Sequence, residues 1–389
     1  KVKTAAKNKN VKVDIDALLE VDKKRKELLQ KVEELRSKKN DVNDCIKSAS
    51  NEERPKIIEE GKTIKEELEK VEPELKGLEG QYKELLYAIP NIPSDDTPIG
   101  KDESGNVVVR QWGEKPEFNF EPKEHFEIAE NLDLLDSERA AKVSGARFNY
   151  LKGDLVLLEF ALMQFAFSVL TSEKKLKEIA DAAGLKVSTK PFVPVLPPVM
   201  IRPEMHKRMA RLDPEEMYML DRDNLSLVGS AEHTLGSMYA DETLLEKQFP
   251  IRMVGFSTAF RREAGTYGKD MKGMLRVHQF NKMETESFTT KENSLNEQNF
   301  IVAIQEYLMQ ELKVPYQVVQ ICTGDMGKPD IRQIDIEAWM PGQGKYRETH
   351  TADLMGDFQA RRLSTKIKRA NGETELVHMN DATVFSERP

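Results

Sequence analysis

From residue 18 the chain places apolar side chains at alternating steps of three and four. The series is Leu18, Val21, Leu28, Val32, Leu35, Val42 and Ile46, interrupted at Arg25 and Lys39. A second series runs Ile57, Gly61, Ile64, Leu68, Val71, Leu75, Leu78, Tyr82 and Leu85. Both are heptad seams, and the stretch SASNEERP between them reads as a turn, so the pattern predicts an antiparallel two-helix coiled coil. Long Arg and Lys stems lie along such a seam with their heads in water, so the two charged positions weaken it without ending it. Helices of about 29 residues at ~1.5 Å per residue make an arm reaching roughly 40 Å from a globular body. Pro73 lacks a backbone donor and predicts a bend.

The Pro-, Asp- and Gly-rich stretch AIPNIPSDDTPIG (88–100) reads as a linker. Beyond it the period changes. Strand patterns cover 192–201, 252–264, 273–288, 331–341 and 357–370, and helical ones cover 154–184 and 293–313. Strands with hairpin connections rather than regular βαβ units predict a largely antiparallel sheet flanked by helices, so the class is α+β. The expected domains are a helical hairpin with its linker over 1–100 and a second domain over 101–389.

Composition narrows the classes. The chain has 389 residues, with 59 Lys+Arg against 67 Asp+Glu, a net charge of −8. That balance argues against indiscriminate coating of nucleic acid but leaves room for a local basic site. Cys45 and Cys322 stand far apart with no Cys-x-x-Cys pair, so neither a disulfide framework nor a cysteine-based zinc site is indicated, and a reducing compartment fits. The six histidines include no i, i+4 pair. The run LVLLEFALMQFAFSVL (155–170) is too short to span a bilayer and carries Glu159 and Gln164, so no membrane segment is expected. The N-terminus has no apolar core of the kind a secretory signal needs. The sequence opens without Met and stops at VFSERP, as expected of part of a longer gene product.

The segment FRREAGTYGKDMKGMLRVHQF (260–280) concentrates positive charge in an acidic chain. On a strand over 273–288, Arg276, His278, Phe280, Lys282 and Glu284 share one face, and Arg261 with Glu263 share a face of its partner. Guanidinium forks bind phosphate oxygens, a phenyl ring stacks on a base, and a carboxylate receives an ammonium or a hydroxyl. The set suits a nucleoside triphosphate beside a small amine. A solvated sheet face with cross-strand ion pairs explains the same residues, so alternation alone does not decide. No G-x-x-x-x-G-K-[ST] or G-x-G-x-x-G loop is present to hold phosphates instead.

More specific are the segments themselves. LVGSAE, FRREAG, GMLRVHQFNKME and DFQARR, in this order and spacing, resemble the signature segments of the seryl-tRNA synthetases, class II aminoacyl-tRNA synthetases. AAKVSGARFNYLKGDLVLLEFAL (140–162) resembles the entry to that family's catalytic domain, and the hairpin its arm for the long variable region of tRNA. The resemblance covers nearly the whole chain and implies an antiparallel class II catalytic sheet over 101–389. It also implies roles. Arg261 and Glu263 match Phe-Arg-x-Glu, with Arg261 on the α-phosphate and substrate carboxylate; Arg276 matches the arginine at the ATP tail, and Phe280 the ring on adenine. Glu284 matches the acid that receives serine, and Ser230 with Glu232 replaces the usual Thr-Ala-Glu. Glu348 and Thr351 match the pair that holds Mg²⁺, Pro198 the dimer-interface proline, and Asn380 and Arg388 the asparagine and arginine of the third motif.

There are departures. Thr349-His350-Thr351-Ala352-Asp353 replaces a common Ser-Ser-Cys-Ser-Asn run. Ala382 stands where a hydroxyl is usual, with Thr383 next along, and the helix expected after Arg388 is not part of the sequence. The implied activity is adenylation of L-serine by ATP and transfer to tRNA(Ser), in a cytoplasmic homodimer. Two alternatives stay open: a related enzyme charging a carrier protein, which such relatives do without the arm, and a non-enzymatic paralogue acting through its coiled coil. On the arm, residues 12–88 carry 17 Lys+Arg and 20 Asp+Glu, so any contact with RNA falls to local clusters such as Lys23, Lys24 and Lys26, or Arg36 with Lys38.

Overall fold

The computed structural model describes residues 1–263 and 274–387, which form two compact units, Lys1–Pro90 and Asn91–Pro389. In the first, α1 (Ile15–Ser48) and α2 (Arg54–Tyr87) pair along the expected seams. Val32, Leu35 and Val42 of α1 pack with Ile64, Leu68, Val71 and Leu75 of α2. Asp14 caps α1 by accepting from the Ala17 backbone at 2.8 Å, and Pro55 stands at the start of α2, where its missing donor costs nothing. Of the two charged seam positions, Arg25 is half-buried with its guanidinium 4.6 Å from the Tyr82 ring, while Lys39 is exposed. Helix α2 continues through Pro73.

The expected linker is partly packed structure. Asn91 donates through Nδ2 to the Pro329 and Met355 carbonyls at 2.8 Å each, and Ser94 N donates to Ile331 O at 2.9 Å, so these residues belong to the second unit.

In that unit, among the described residues, eight strands form one sheet: β1 (Val107–Trp112), β2 (Val193–Val195), β3 (Ile251–Phe260), β4 (Gln279–Thr289), β5 (Tyr316–Gln320), β6 (Arg332–Met340), β7 (Lys345–Gly356) and β8 (His378–Ser386). The order is β1-β5-β6-β7-β8-β4-β3-β2, antiparallel except where β2 joins β3. One face is covered by α3 (Asp154–Leu170), α4 (Glu173–Ala182) and α7 (Ser294–Glu311) around Leu170, Leu176, Phe300 and Met283. Helix α7 also bonds the sheet directly. Its Gln305 amide donates to Thr351 O and Thr383 O, both at 2.7 Å, and Gln298 donates to Ala352 O at 2.8 Å. The first helical stretch, expected over 154–184, is two helices meeting at 78°, because Ser172 caps α4 anew. No single helix among the described residues is long and apolar enough to cross a membrane.

On the opposite face lie α5 (Pro203–Met209), α6 (Glu232–Gly236) and α8 (Phe358–Leu363). Gly255 on β3 allows the close approach of α6, since a Cβ there would meet Leu235 Cδ1 at 2.7 Å.

Three strand expectations are corrected. β3 stops at Phe260 and β4 starts at Gln279, so Arg261, Glu263, Arg276 and His278 stand beyond the strand ends rather than alternating on one face. The ladder closes where Arg261 N donates to His278 O at 3.0 Å, and Glu263 then turns left-handed at φ +50°. The 357–370 segment is α8 followed by a short strand over 366–368: Phe358, Gln359, Ala360, Arg362 and Leu363 are all buried, which a one-faced strand does not allow. Within 192–201, extended structure is confined to 193–195 and 200–201.

Candidate active site

The polar part of the face that carries α5, α6 and α8 is set by register. Glu284 on β4 pairs with Thr383 on β8, and Glu286 with Asp381. Asp381 in turn pairs with Asp353 on β7, and Thr351 with Asp335 on β6. Cross-strand partners share a face, so these side chains form one polar floor. Ser230, Glu232 and Arg211 reach it from the segments around α5 and α6.

At its centre the Glu284 carboxylate is held three ways. It accepts from Ser230 Oγ and, at 3.1 Å, from the Glu232 backbone N–H, and it pairs with the Lys282 ammonium. Lys282 also lies 3.4 Å from Ser230 Oγ. Beyond the strand end, Arg261 Nε donates to Gly229 O at 3.0 Å, which aims its guanidinium over the Phe280 ring, 5.6 Å from the centroid. Phe280 is buried with Ala259 and Val277. Arg276 Nη1 donates to Glu263 at 3.4 Å. Arg261 and the ring expected to hold ATP thus adjoin the segment and strand that carry the two carboxylates expected to hold serine, while Arg276 stands with Glu263 beyond the strand end.

Glu232 stands 3.3 Å from Arg211 Nε and 3.5 Å from His233 Nε2. Its burial acts to raise the carboxyl, but Arg211 and His233 outweigh it and hold Glu232 well below the usual carboxylate range. Glu286 behaves oppositely: burial, then Glu232 and Glu284, push it well up. Burial also pushes up Asp381 and Asp335, the latter with help from Glu348 and Asp353.

Glu348 is exposed on the rim of the floor, and the Thr351 hydroxyl lies 3.4 Å from that of Thr383. Among the described residues no three His, Cys, Asp or Glu side chains are disposed to hold a metal by themselves. A carboxylate and a hydroxyl that leave remaining positions to phosphates and water suit Mg²⁺.

Asn380 is not brought to the floor. It falls on the other face of β8 and donates through Nδ2 to Ser294 O at 3.2 Å, while Asp381 and Thr383 take the positions facing Glu284. Pro198 is exposed, and its carbonyl accepts from Thr234 Oγ1 at 3.2 Å. Arg388 lies outside the described residues. On the arm, Lys24, Lys26 and Arg36 pair with Glu20, Asp22 and Glu72 at 2.7–2.9 Å, and Lys23 and Lys38 are exposed. Lys282, Glu286, Asp335, Asp381 and Arg211 were not among the expected site residues. Period-2 spacing from Glu284 points to the first two; nothing local points to Arg211.

Known proteins match this arrangement. Residues 1–93 match the family model of the seryl-tRNA synthetase N-terminal domain, and 218–389 that of the class II tRNA synthetase core domain (G, H, P, S and T). The chain is 38% identical over 377 residues to a serine–tRNA ligase of Dictyoglomus turgidum, covering 96% of this chain and 85% of the relative. It is 37% identical over 390 residues to one of Nitrosopumilus maritimus, covering 99% and 89%. Among solved structures, the seryl-tRNA synthetase of Pyrococcus horikoshii complexed with ATP matches with a TM-score of 0.83 at 33% identity, over 99% of this chain and 89% of that one. With arm, sheet and signature segments in agreement, the chain belongs to the seryl-tRNA synthetase family, the class II serine–tRNA ligases.

Proposed function

We propose that the polar floor adenylates L-serine with ATP and that the product is passed to the terminal ribose of tRNA(Ser). The observation that carries this reading is Glu284, fixed by Ser230 and by the Glu232 backbone beside Arg261 and Phe280. Serine's ammonium and hydroxyl go to Glu232 and Glu284, with the Thr383 hydroxyl in reach of the same face. The adenine stacks on Phe280 once the Arg261 guanidinium swings from the ring to the α-phosphate, and Arg276 takes the triphosphate tail, released from Glu263. Arg388 joins Arg261 on the phosphates.

In the first step a serine carboxylate oxygen attacks the α-phosphorus in line and pyrophosphate leaves. In the second a ribose hydroxyl takes the acyl group and AMP leaves. Neither step uses a protein nucleophile; Arg261 supplies alignment and charge. Mg²⁺, when bound, neutralises phosphate charge, and Glu348 and Thr351 are the residues to hold it.

The arm carries the tRNA, with Lys23, Lys24, Lys26, Arg36 and Lys38 as phosphate contacts read by shape. Homodimerisation through the Pro198 region is supported by exposed apolar side chains there, Leu196 at 81% and Val193 at 56% exposure. The cytoplasm is the setting proposed for this work. Charging of unfractionated tRNA with labelled serine tests the acceptor. ATP-dependent, acid-precipitable serine is expected; label on a carrier protein and not on tRNA would favour the other amino-acid activating class.

A further inference from the structure

Helix α5 ends at Ala210, which takes a left-handed φ of +57°, and the next residue, Arg211, turns into the protein with its side chain 9% exposed. Among the described residues four carboxylates surround its guanidinium. Nε faces Glu232 at 3.3 Å, Nη1 donates to Asp330 at 3.0 Å, and Nη2 donates to both Asp353 and Asp381. These come from α6, the segment before β6, β7 and β8. A planar fork with five donors can serve several carboxylates from fixed directions, which an ammonium cannot. One cation among four acids leaves an excess of negative charge, and the cluster divides it unequally. Asp381 is pushed up by burial while Glu232 is held down by Arg211. Asp353 also occupies the position where the resemblance expects an asparagine, so a departure in sequence meets an uncommon buried cation in space.

Resting on the adenylation reading above, we propose that Arg211 is a positioning residue for serine recognition: locked from behind by Asp330, Asp353 and Asp381, it fixes the Glu232 carboxylate as the negative seat for the substrate's ammonium. The other groups that bear on Glu232 do not replace it. His233 accepts from Gly229 N at its Nδ1 and so reaches Glu232 through Nε2 alone, 3.5 Å away, and His206 is kept uncharged by burial, with a pKa lowered to about 3. Lys282 is engaged with Glu284, and Glu284, Glu286 and Asp381 add acidity. Without Arg211, Glu232 is a buried carboxylate among carboxylates, and such a group takes up a proton.

The test is serine-dependent ATP–pyrophosphate exchange by the parent, by Arg211→Gln combined with Asp353→Asn, and by Arg211→Lys. The double variant removes one cation and one carboxylate, so the net charge of the cluster stays the same while Glu232 loses its partner. Its serine KM is expected to rise about tenfold or more while its ATP KM stays within about twofold, a loss confined to one substrate. That serine KM should fall as pH rises from 6 to 8, because the seat must ionise; the parent's should be flat there. Arg211→Lys keeps charge without the fork and should fall between. A serine KM at the parent's value in both variants overturns the proposal, as does an equal rise in both KM values with no pH trend. Absence of exchange in the parent overturns the adenylation reading and the role of Arg211 with it, whereas exchange in the parent with unaffected variants overturns the role alone.

Discussion

The Glu284 carboxylate accepts the backbone N–H of Glu232 at 3.1 Å, so the strand carrying one acid sets the position of the helix start carrying the other. Lys282 and Ser230 complete the grip on Glu284. Glu284→Ala removes the acceptor and leaves that grip unpaired. It is expected to lower kcat/KM for serine by about 100-fold or more, since unsatisfied buried donors resist the substrate's return. Steady-state exchange kinetics check this, with ATP KM as the internal reference.

Phe280 is 2% exposed beneath the Arg261 guanidinium. Phe280→Leu keeps most of the volume but no flat ring, so it should cost about 1 kcal/mol of stability, while Phe280→Ala should cost about 3 kcal/mol. Both should raise the ATP KM more than the serine KM. Urea unfolding and the two KM values measure each part.

His206 is fully buried, its Nδ1 3.2 Å from Ser226 Oγ and its ring centroid 4.3 Å from that of His233. Burial first, then His233, lowers its pKa from 6.5 to about 3. The folded state therefore binds fewer protons than the unfolded one between these values, and stability falls as pH drops through that window. His206→Gln lacks this term. Its stability deficit at pH 7, measured by urea unfolding, should shrink by about 2 kcal/mol at pH 5. A deficit independent of pH would contradict the assignment.

Val32 is completely buried in the seam between α1 and α2. Val32→Asp places an unpaired carboxylate there and should cost the arm about 3 kcal/mol or more. Serine-dependent exchange should persist and tRNA charging should fall, which separates the arm's contribution from that of the sheet.

Much of this organisation is legible in the chain. The heptads of α1 and α2 are local and long, and their seams reappear as packed pairs such as Val42 against Gly61, whose Cβ would lie 3.3 Å from Val42 Cγ1. The Arg261, Glu263, Arg276 and Phe280 set is legible through signature spacing, though not through strand alternation, because a left-handed Glu263 ends the extended run. DFQARR is misread by period because five of the six residues of α8 are buried, with Arg361 alone exposed. Asn380 faces Ser294 rather than the floor because one residue of strand phase decides the face, which local sequence does not announce. Arg211 has no local signature at all. Its partners lie up to 170 positions away, and only the fold assembles them.

The most direct test of the account is amino-acid-dependent ATP–pyrophosphate exchange with serine, threonine, alanine and glycine compared side by side, and with Arg261→Ala as control. Serine should support exchange, alanine and glycine should be lower by roughly 10⁴-fold, and the control should be inactive. Exchange with no amino acid, or equal exchange with alanine and serine, would contradict the assignment of the floor built on Glu232 and Glu284.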